Sequence, residues 1–440
     1  MEIFPYRRLE LAASRSPTEV RAVRPVRRVA MLVVHSNPML EPGHGDAGGM
    51  TVYVREVAAA LAGRGPQIDV FTRADGSYPL EGELAPGVRL IQVHAGEPGL
   101  AKEELPTHLP EFSANLAAWV EVQGARYDLI HSHYWLSGRA ASILARRWGV
   151  PFVHTFHTLG RVKNRGLRRG EVPEPERRLA GEARVIAEAD AIVASTGEER
   201  DFLIDLYAAH PERIRLVPPG VDHEVFRPAG RAAAKESLGL SGKQVLLFVG
   251  RLQPLKGADT ALRAAAHLVS WGGLRTDSAR LLVVGGPSGR GGEVERRRLQ
   301  GLARSLGLSE LVRFIPAQPH RSLPRYYQAA DVCLVPSHSE SFGLVALEAQ
   351  ACGVPVVASA VGGLKALVRH GRTGFLLPPG DAEAFAERTW RILSDRALAE
   401  AMSGRAVCSS HEYSWARCGG ELHDLYIASR QNSQEEMTIS

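Results

Sequence analysis

The sequence predicts an α/β fold made of two Rossmann-like doubly wound domains that face each other across a cleft. From Arg28 onward, short β-branched runs alternate with amphipathic stretches, which is how a parallel sheet covered by helices reads. The alternation breaks at the Pro/Gly-rich "VPPGVDHEVFRPAG", Val217 to Gly230, and then restarts. With 440 residues there is room for two large domains. A single eight-fold barrel would need a series without that break.

In chain order, the first-half strands are expected at "RVAMLVVH", "QIDVFTR", "VRLIQVH", "DLIHSHY", "PFVHTFH", "AIVAST" and "IRLVPP". Helices are expected between them, notably Gly49 to Ala62 and Glu174 to Ala189. After the break come "QVLLFVG", "RLLVVGG", "VRFIPA", "DVCLVPS", "PVVAS" and "TGFLL", each followed by a helix. The segment "EYSWARCGGELHDLYIAS" reads as a final helix that crosses back to the first domain. This divides the chain into a disordered extension (1–27), a first domain (28–218), a second domain (219–408), the crossing helix (409–429) and a disordered tail (430–440).

Charge narrows the function. Residues 1–28 hold seven Arg against three Glu, a surplus of +4, so the net +5 leaves only about +1 for the body. A nucleic-acid role for the folded part is thereby disfavoured. No charge-free apolar run reaches the length of a membrane span, and the Arg-rich start lacks the apolar core of a signal peptide; a cytoplasmic protein with no integral membrane segment is expected. Cys333, Cys352, Cys408 and Cys418 form no C-x-x-C pair and read as buried free thiols.

The chemistry concentrates at strand ends, where ligands of such domains sit. "PGHGDAGG" leads from the first strand into a helix opened by Gly48 and Gly49, and bare amides at the positive end of a helix dipole suit an anion, although such turns also occur for packing. In "VGRLQPLKG", Arg251 and Lys256 follow a strand that ends at Val249, and two cations there suit a diphosphate; solvated surface charges are the alternative. In "HSESFGLVALEAQACG", Glu340 precedes a helix expected to open near Phe342, and Glu348 lies inside it. An unbroken helix would space the two carboxylates by about 12 Å along its axis, a length that matches a sugar nucleotide gripped at ribose and at transferred sugar. The neighbours of Glu348 are almost all apolar, so its carboxylate needs a partner. His131, His133 and His157 fall at strand ends without the spacing of a zinc site; hydrogen bonds to sugar hydroxyls suit them better, as does simple satisfaction of loop backbone. Lys102, Lys163, Arg177 and Arg178 are scattered but could converge on a phosphorylated acceptor.

Taken together, these residues resemble the retaining GT-B glycosyltransferases of the sucrose-synthase-like group. The likeness is closer still to the D-inositol-3-phosphate glycosyltransferases of the mycothiol pathway. It rests on "DAGGM", "KEELPTHL", "YDLIHSHYWLSG", "HTFHTLGRVKN", "PEPERR", "GRLQPLK", "GGPSG" and "ESFGLVALEAQACG", which span Val29 to about Tyr426. The second-domain motifs are shared by the whole group, and those of the first domain are more specific.

The resemblance implies transfer of N-acetylglucosamine from its UDP donor to 1D-myo-inositol 3-phosphate with retained anomeric configuration. It implies that Gly49, Arg251 and Lys256 hold the diphosphate, Glu348 the ribose and Glu340 the sugar, with His157 touching that sugar and His35, Glu41, Pro42 and Gln318 also on the donor. Lys256, Arg251, Glu340 and His157 would be the catalytic set. Lys102, Tyr134, Thr158 and Arg178 would hold the inositol phosphate, with Asp46, Ala47, Gly48, Gly49, Met50 and Thr51 closing over it. A magnesium ion (Mg2+) on Tyr327, Gln328, Ala330 and Val354, no organic cofactor and a homodimer are further implications. Thr51 stands where the family usually has Asn, and "HSNP" at His35 where "HTSP" is usual. Both departures bear on the acceptor more than on the donor.

The expected reaction is a front-face displacement in which the leaving phosphate takes the acceptor's proton. One rival keeps the fold and changes the acceptor, as in a sucrose-type transferase. A second, a dinucleotide-dependent oxidoreductase with Asp75 on the ribose, leaves Glu340 and Glu348 without a role. A binding protein without turnover is the third.

Overall fold

The computed structural model describes residues 25–43, 47–167, 172–288 and 291–439. Its first half runs β1 (Arg28–Leu32), α1 (Gly49–Ala62), β2 (Gln67–Arg73), β3 (Glu81–Ala85), β4 (Val88–Val93), α2 (Leu109–Val122), β5 (Leu129–His133), α3 (Tyr134–Trp148), β6 (Phe152–Thr155), α4 (Gly160–Arg165), α5 (Glu176–Glu188), β7 (Ala191–Ala194), α6 (Gly197–Tyr207) and β8 (Ile214–Leu216). These strands form one sheet in the order β3-β4-β2-β1-β5-β6-β7-β8, parallel throughout except for β3, which pairs antiparallel with β4. β3 carries Glu81 and Glu83 on an exposed edge, and its short polar sequence gave no strand signal.

The second half runs α7 (Arg231–Ser237), β9 (Gln244–Val249), α8 (Ala258–Ser270), β10 (Ala279–Val284), α9 (Gly292–Ser305), β11 (Val312–Ile315), α10 (Pro324–Ala329), β12 (Val332–Val335), α11 (Leu344–Ala351), β13 (Val356–Ser359), α12 (Leu364–Leu367), β14 (Gly374–Leu377), α13 (Ala382–Ser394), α14 (Arg396–Ser410) and α15 (Trp415–Ile439). Its sheet is wholly parallel, in the order β11-β10-β9-β12-β13-β14. Strands β7, β12 and β13 are buried end to end, as a sheet covered on both faces requires. Each sheet separates two apolar clusters, and a fully buried side chain such as Leu61 or Phe385 contributes roughly 1.5–3 kcal/mol.

The chain crosses between the domains twice, and the crossings run side by side. Val221 bridges to Ser414, and His223 Nε2 lies 3.1 Å from the Tyr413 carbonyl. The contact is so close that a Cβ on Gly220 would sit 2.2 Å from the Ser414 carbonyl carbon. After the second crossing, α15 returns to the first domain and packs on α1: Trp415, Cys418, Leu422, Leu425 and Tyr426 share a core with Met31, Val54 and Val57.

Several expectations change. The tail from residue 430 onward is helical rather than disordered: α15 meets no Gly or Pro after Gly420 and continues to Ile439. Arg430 assists by pairing with Asp128 at 2.7 Å. The crossing helix begins at Trp415, not at residue 409. Disorder in residues 1–24 lies outside the described residues, but Val26 is already in the core and the Arg27 amide donates to Asp128 at 2.6 Å. Cys333, Cys352 and Cys418 are buried free thiols, whereas Cys408 is exposed on α14.

Candidate active site

A cavity of about 620 Å³ separates the two sheets. Its lining comes from segments that follow β1, β4, β5, β6, β7 and β8 on one side and β9 to β13 on the other, so the C-terminal edges of both sheets face it.

The glycine turn approaches the second domain itself. A Cβ on Gly48 would lie 3.3 Å from Arg251 Nε, one on Gly49 would lie 3.5 Å from Leu344, and one on Gly43 would lie 2.8 Å from Ala317. Gly48 and Gly49 line the cavity at the start of α1, where no side chain caps the helix. The free amides and positive dipole end of a 14-residue helix therefore lie beside Arg251, which reaches them from the second domain.

Across the cleft, the loop after β9 is stitched to the loop after β12. The His338 amide donates to the Leu255 carbonyl at 2.8 Å, and Lys256 Nζ meets Glu340 Oε2 at 2.6 Å. Gly257, at φ 70°, caps α8 so close to this loop that a Cβ would sit 2.0 Å from the Pro336 oxygen. Arg251 reaches toward Ser288 at 3.4 Å.

Glu348 has the partners its burial demands. Tyr327 donates its hydroxyl to Oε2, and His320 Nε2 stands at Oε1, both at 2.7 Å. Burial pushes His320 down, but the charge and hydrogen bond of Glu348 outweigh it, and the imidazole ends above its ordinary value. The helix expected to open near Phe342 opens at Leu344, because Gly343 takes φ 107° and breaks the run. The axial spacing of an unbroken helix therefore does not apply, and Ser341 and Phe342 line the cavity from a loop.

On the first-domain side, His35, Pro42, Met50, Lys102, Tyr134, His157, Thr158 and Lys163 line the cavity, as does Gln318 opposite. Tyr134 and His157 hold left-handed backbone at φ 70° and 61°, a conformation that costs energy for residues with a Cβ and collects at functional sites. Burial and the charge of neighbouring Arg178 lower the pKa of Lys163.

Other expected residues stand elsewhere. Arg178 is only 2% exposed and lies behind the wall, its fork taken by Glu182 at 2.7 Å and Glu174 at 2.9 Å. It acts on the cavity through others, donating to Thr158 Oγ1 at 3.0 Å and lying over the Tyr134 ring. Arg177 is exposed and bonds the Glu103 carbonyl. Thr51 is buried and donates its hydroxyl to Gly48 O at 2.8 Å, which removes it from the lining. Ala47 is buried behind the turn, and Asp46 lies outside the described residues. Glu41 bridges the cleft, accepting the His320 amide at 3.1 Å. His131 and His133 lie beneath the floor, where burial holds both well below the ordinary histidine range.

Two cross-cleft contacts had no signal in the sequence. Glu198 on α6 pairs with Lys365 on α12 at 2.6 Å, and Ser341 donates to the His157 carbonyl. Each joins residues far apart in the chain, which neither periodicity nor local motif can reveal.

The residues implied for magnesium would hold a divalent ion mainly through backbone oxygens, which such ions accept. Tyr327 gives its hydroxyl to Glu348, Gln328 gives its amide to the Arg227 carbonyl, and Ala330 and Val354 offer backbone oxygens alone. The set lacks a carboxylate, which such an ion favours. Among the described residues no group of three or more His, Cys, Asp or Glu gathers to hold a metal.

Comparison with known proteins gives a concordant result. Residues 231–407 match the family model of glycosyl transferases group 1, and residues 48–220 match that of the glycosyl transferase 4-like domain. The chain is 49% identical over 417 residues to the D-inositol 3-phosphate glycosyltransferase of Actinosynnema mirum, covering 94% of this chain and 100% of the relative. To the enzyme of that name from Acidothermus cellulolyticus it is 51% identical over 394 residues, 88% of this chain and 87% of the relative. Among solved structures, a sucrose-phosphate synthase from Thermosynechococcus elongatus superposes with a TM-score of 0.84 at 35% identity, covering 94% of this chain and 100% of that one. Anabaena HepE, in complex with UDP and glucose, gives 0.73 at 19% identity over 90% of this chain and 98% of that one, a likeness of fold alone.

Proposed function

The chain belongs to the D-inositol 3-phosphate glycosyltransferase family, and from that membership we propose that it moves N-acetylglucosamine from UDP-N-acetylglucosamine to 1D-myo-inositol 3-phosphate with retained anomeric configuration. One observation carries the reading: a single cavity has two cationic zones. Arg251, Lys256 and the start of α1 form one, and Lys102 with Lys163 forms the other. The first suits a departing diphosphate and the second an acceptor phosphate.

Each group then has a task. Arg251, Lys256 and the α1 amides stabilise charge that grows on the leaving UDP. Glu348, fixed by Tyr327 and His320, grips the ribose, and Glu340 the sugar. Each described glutamate lining the cavity is engaged by a protein group through at least one oxygen: Glu340 by Lys256, Glu348 by Tyr327 and His320, Glu199 by the Ser195 amide, and Glu198 by Lys365 through Oε1, its Oε2 having no hydrogen-bond partner among the described residues. This supports displacement at the front face, with the departing phosphate oxygen taking the acceptor's proton, over a carboxylate nucleophile behind the sugar. The cross-cleft contacts of Glu198, Ser341 and Glu41 favour a closed cavity, in which water competes poorly with the acceptor.

A sucrose-type acceptor is the alternative within the fold, and identities of 49% and 51% against 35% weigh against it. Among the described residues no helix is long and apolar enough to cross a membrane. A cytoplasmic homodimer belongs to the same proposal, and sedimentation of the purified protein together with the location of a tagged copy tests it. The decisive experiment is UDP release measured with a panel of acceptors. Turnover with 1D-myo-inositol 3-phosphate and none with fructose 6-phosphate is expected; the reverse pattern would retire the proposal.

A further inference from the structure

His133, at the end of β5, is fully buried, and its ring nitrogen Nε2 has no hydrogen-bond partner. Its other nitrogen, Nδ1, lies 3.1 Å from Nε2 of His157. One nitrogen of that pair carries a hydrogen and the other accepts it. If His133 accepted, its own hydrogen would sit on Nε2, buried and undelivered. A buried N–H without a partner is the rarer kind of orphan and costs roughly 1–3 kcal/mol. Nor does a second proton resolve the choice, since burial lowers both rings and pushes His157 down to about 3. His133 therefore keeps its hydrogen on Nδ1 and donates. His157 Nε2 accepts, which leaves the one hydrogen of His157 on Nδ1.

The two rings are held from every side. His131 lies against His133 with ring centres 4.2 Å apart and is itself fixed by Tyr426 at 2.5 Å and Thr155 at 2.9 Å. Tyr53 meets His157 edge-on at 5.0 Å, and the His157 carbonyl is engaged by Ser341. His157 lines the cavity, and among the described residues its Nδ1 makes no hydrogen bond.

We propose that His133 is a positioning residue for the transfer: it fixes His157 in the Nδ1–H form, so that the cavity receives a neutral N–H donor for a substrate oxygen. The alternative form would turn a bare nitrogen toward the substrates, one that could accept a hydrogen bond from a hydroxyl but could not donate one to a substrate oxygen. The inference rests on the transferase reading of the cavity, but its first test does not.

Full-length protein labelled with 15N in its histidine rings is read by two-bond 1H–15N correlation, with His157 identified by the signal lost in His157→Gln. The Nδ1–H pattern is expected for His157 in the unsubstituted protein. His133→Leu is expected to release it to the Nε2–H form and to lower kcat about tenfold or more, with both KM values within about twofold. In His133→Asn the amide can donate from near the Nδ1 position, so both the tautomer and most of kcat are expected to persist. An Nε2–H pattern for His157 in the unsubstituted protein would overturn the proposal. So would equal loss of kcat in the Leu and Asn variants with the His157 pattern unchanged in both. The spectrum needs no substrate, so a wrong acceptor would not be mistaken for a wrong tautomer.

Discussion

Lys256 and Glu340, 84 residues apart in sequence, meet at 2.6 Å on the wall of the cavity. The ammonium that would face a diphosphate is thus already paired with the carboxylate that would face the sugar, and donor binding has to divide them. Lys256→Ala is expected to lower kcat/KM by roughly 10²–10³. Part of that loss is repulsion from the carboxylate left behind, so adding Glu340→Gln should cost less than it does alone. Steady-state kinetics of both single variants and the double variant measures the coupling. Additive losses would mean that the two side chains act independently.

His320 gives a pH dependence of known sign. Its value lies above the ordinary 6.5, so the stabilisation it shares with Glu348 is complete below that pH and is lost as pH rises through the higher value. His320→Gln keeps a neutral donor without the titration. Melting temperatures between about pH 6 and about pH 9 should therefore fall more steeply for the unsubstituted protein than for the variant.

Gly343 sets where α11 begins. It holds φ 107°, and a Cβ would approach Leu364 Cδ2 to 2.7 Å. Gly343→Ala is expected to destabilise by roughly 1–3 kcal/mol, read as a lower midpoint in urea. A variant as stable as the original would mean that the loop relaxes freely.

The Glu198–Lys365 pair is half exposed, with side-chain accessibilities of 27% and 46%, so its share of stability should be below about 1 kcal/mol. Its position across the cleft matters more. Lys365→Ala is expected to raise the radius of gyration measured by X-ray scattering and to lower kcat/KM several-fold, with a melting temperature almost unchanged. An unaltered scattering profile would remove the pair from any role in closure.

Much of this architecture could be read from the chain. Gly49 to Ala62 forms a helix with those very ends, and each strand expected from a β-branched run is present, because buried parallel strands and amphipathic helices write their periods into local sequence. Edge strand β3 escaped because Glu81 and Glu83 are placed for solubility, not burial. In the site, Arg251, Lys256, Glu340 and Glu348 were legible from charge beside apolar runs. Arg178 was legible as a cation but not as one enclosed by Glu174 and Glu182, since its partners follow from how α5 packs. Thr51 read as a departure that bears on the acceptor, while its hydroxyl bonds the Gly48 carbonyl at the first turn of α1.

The path of α15 also orders the events of synthesis. Trp415, Cys418, Leu422, Leu425 and Tyr426 complete a face that Val54, Val57 and Met31 begin some 360 residues earlier, so a ribosome that has finished β8 has delivered a first domain with one flank still bare. That domain waits until α15 has been made before its apolar surface is sheltered from neighbours and proteases. Trimming the last helix would therefore injure the half of the molecule made first.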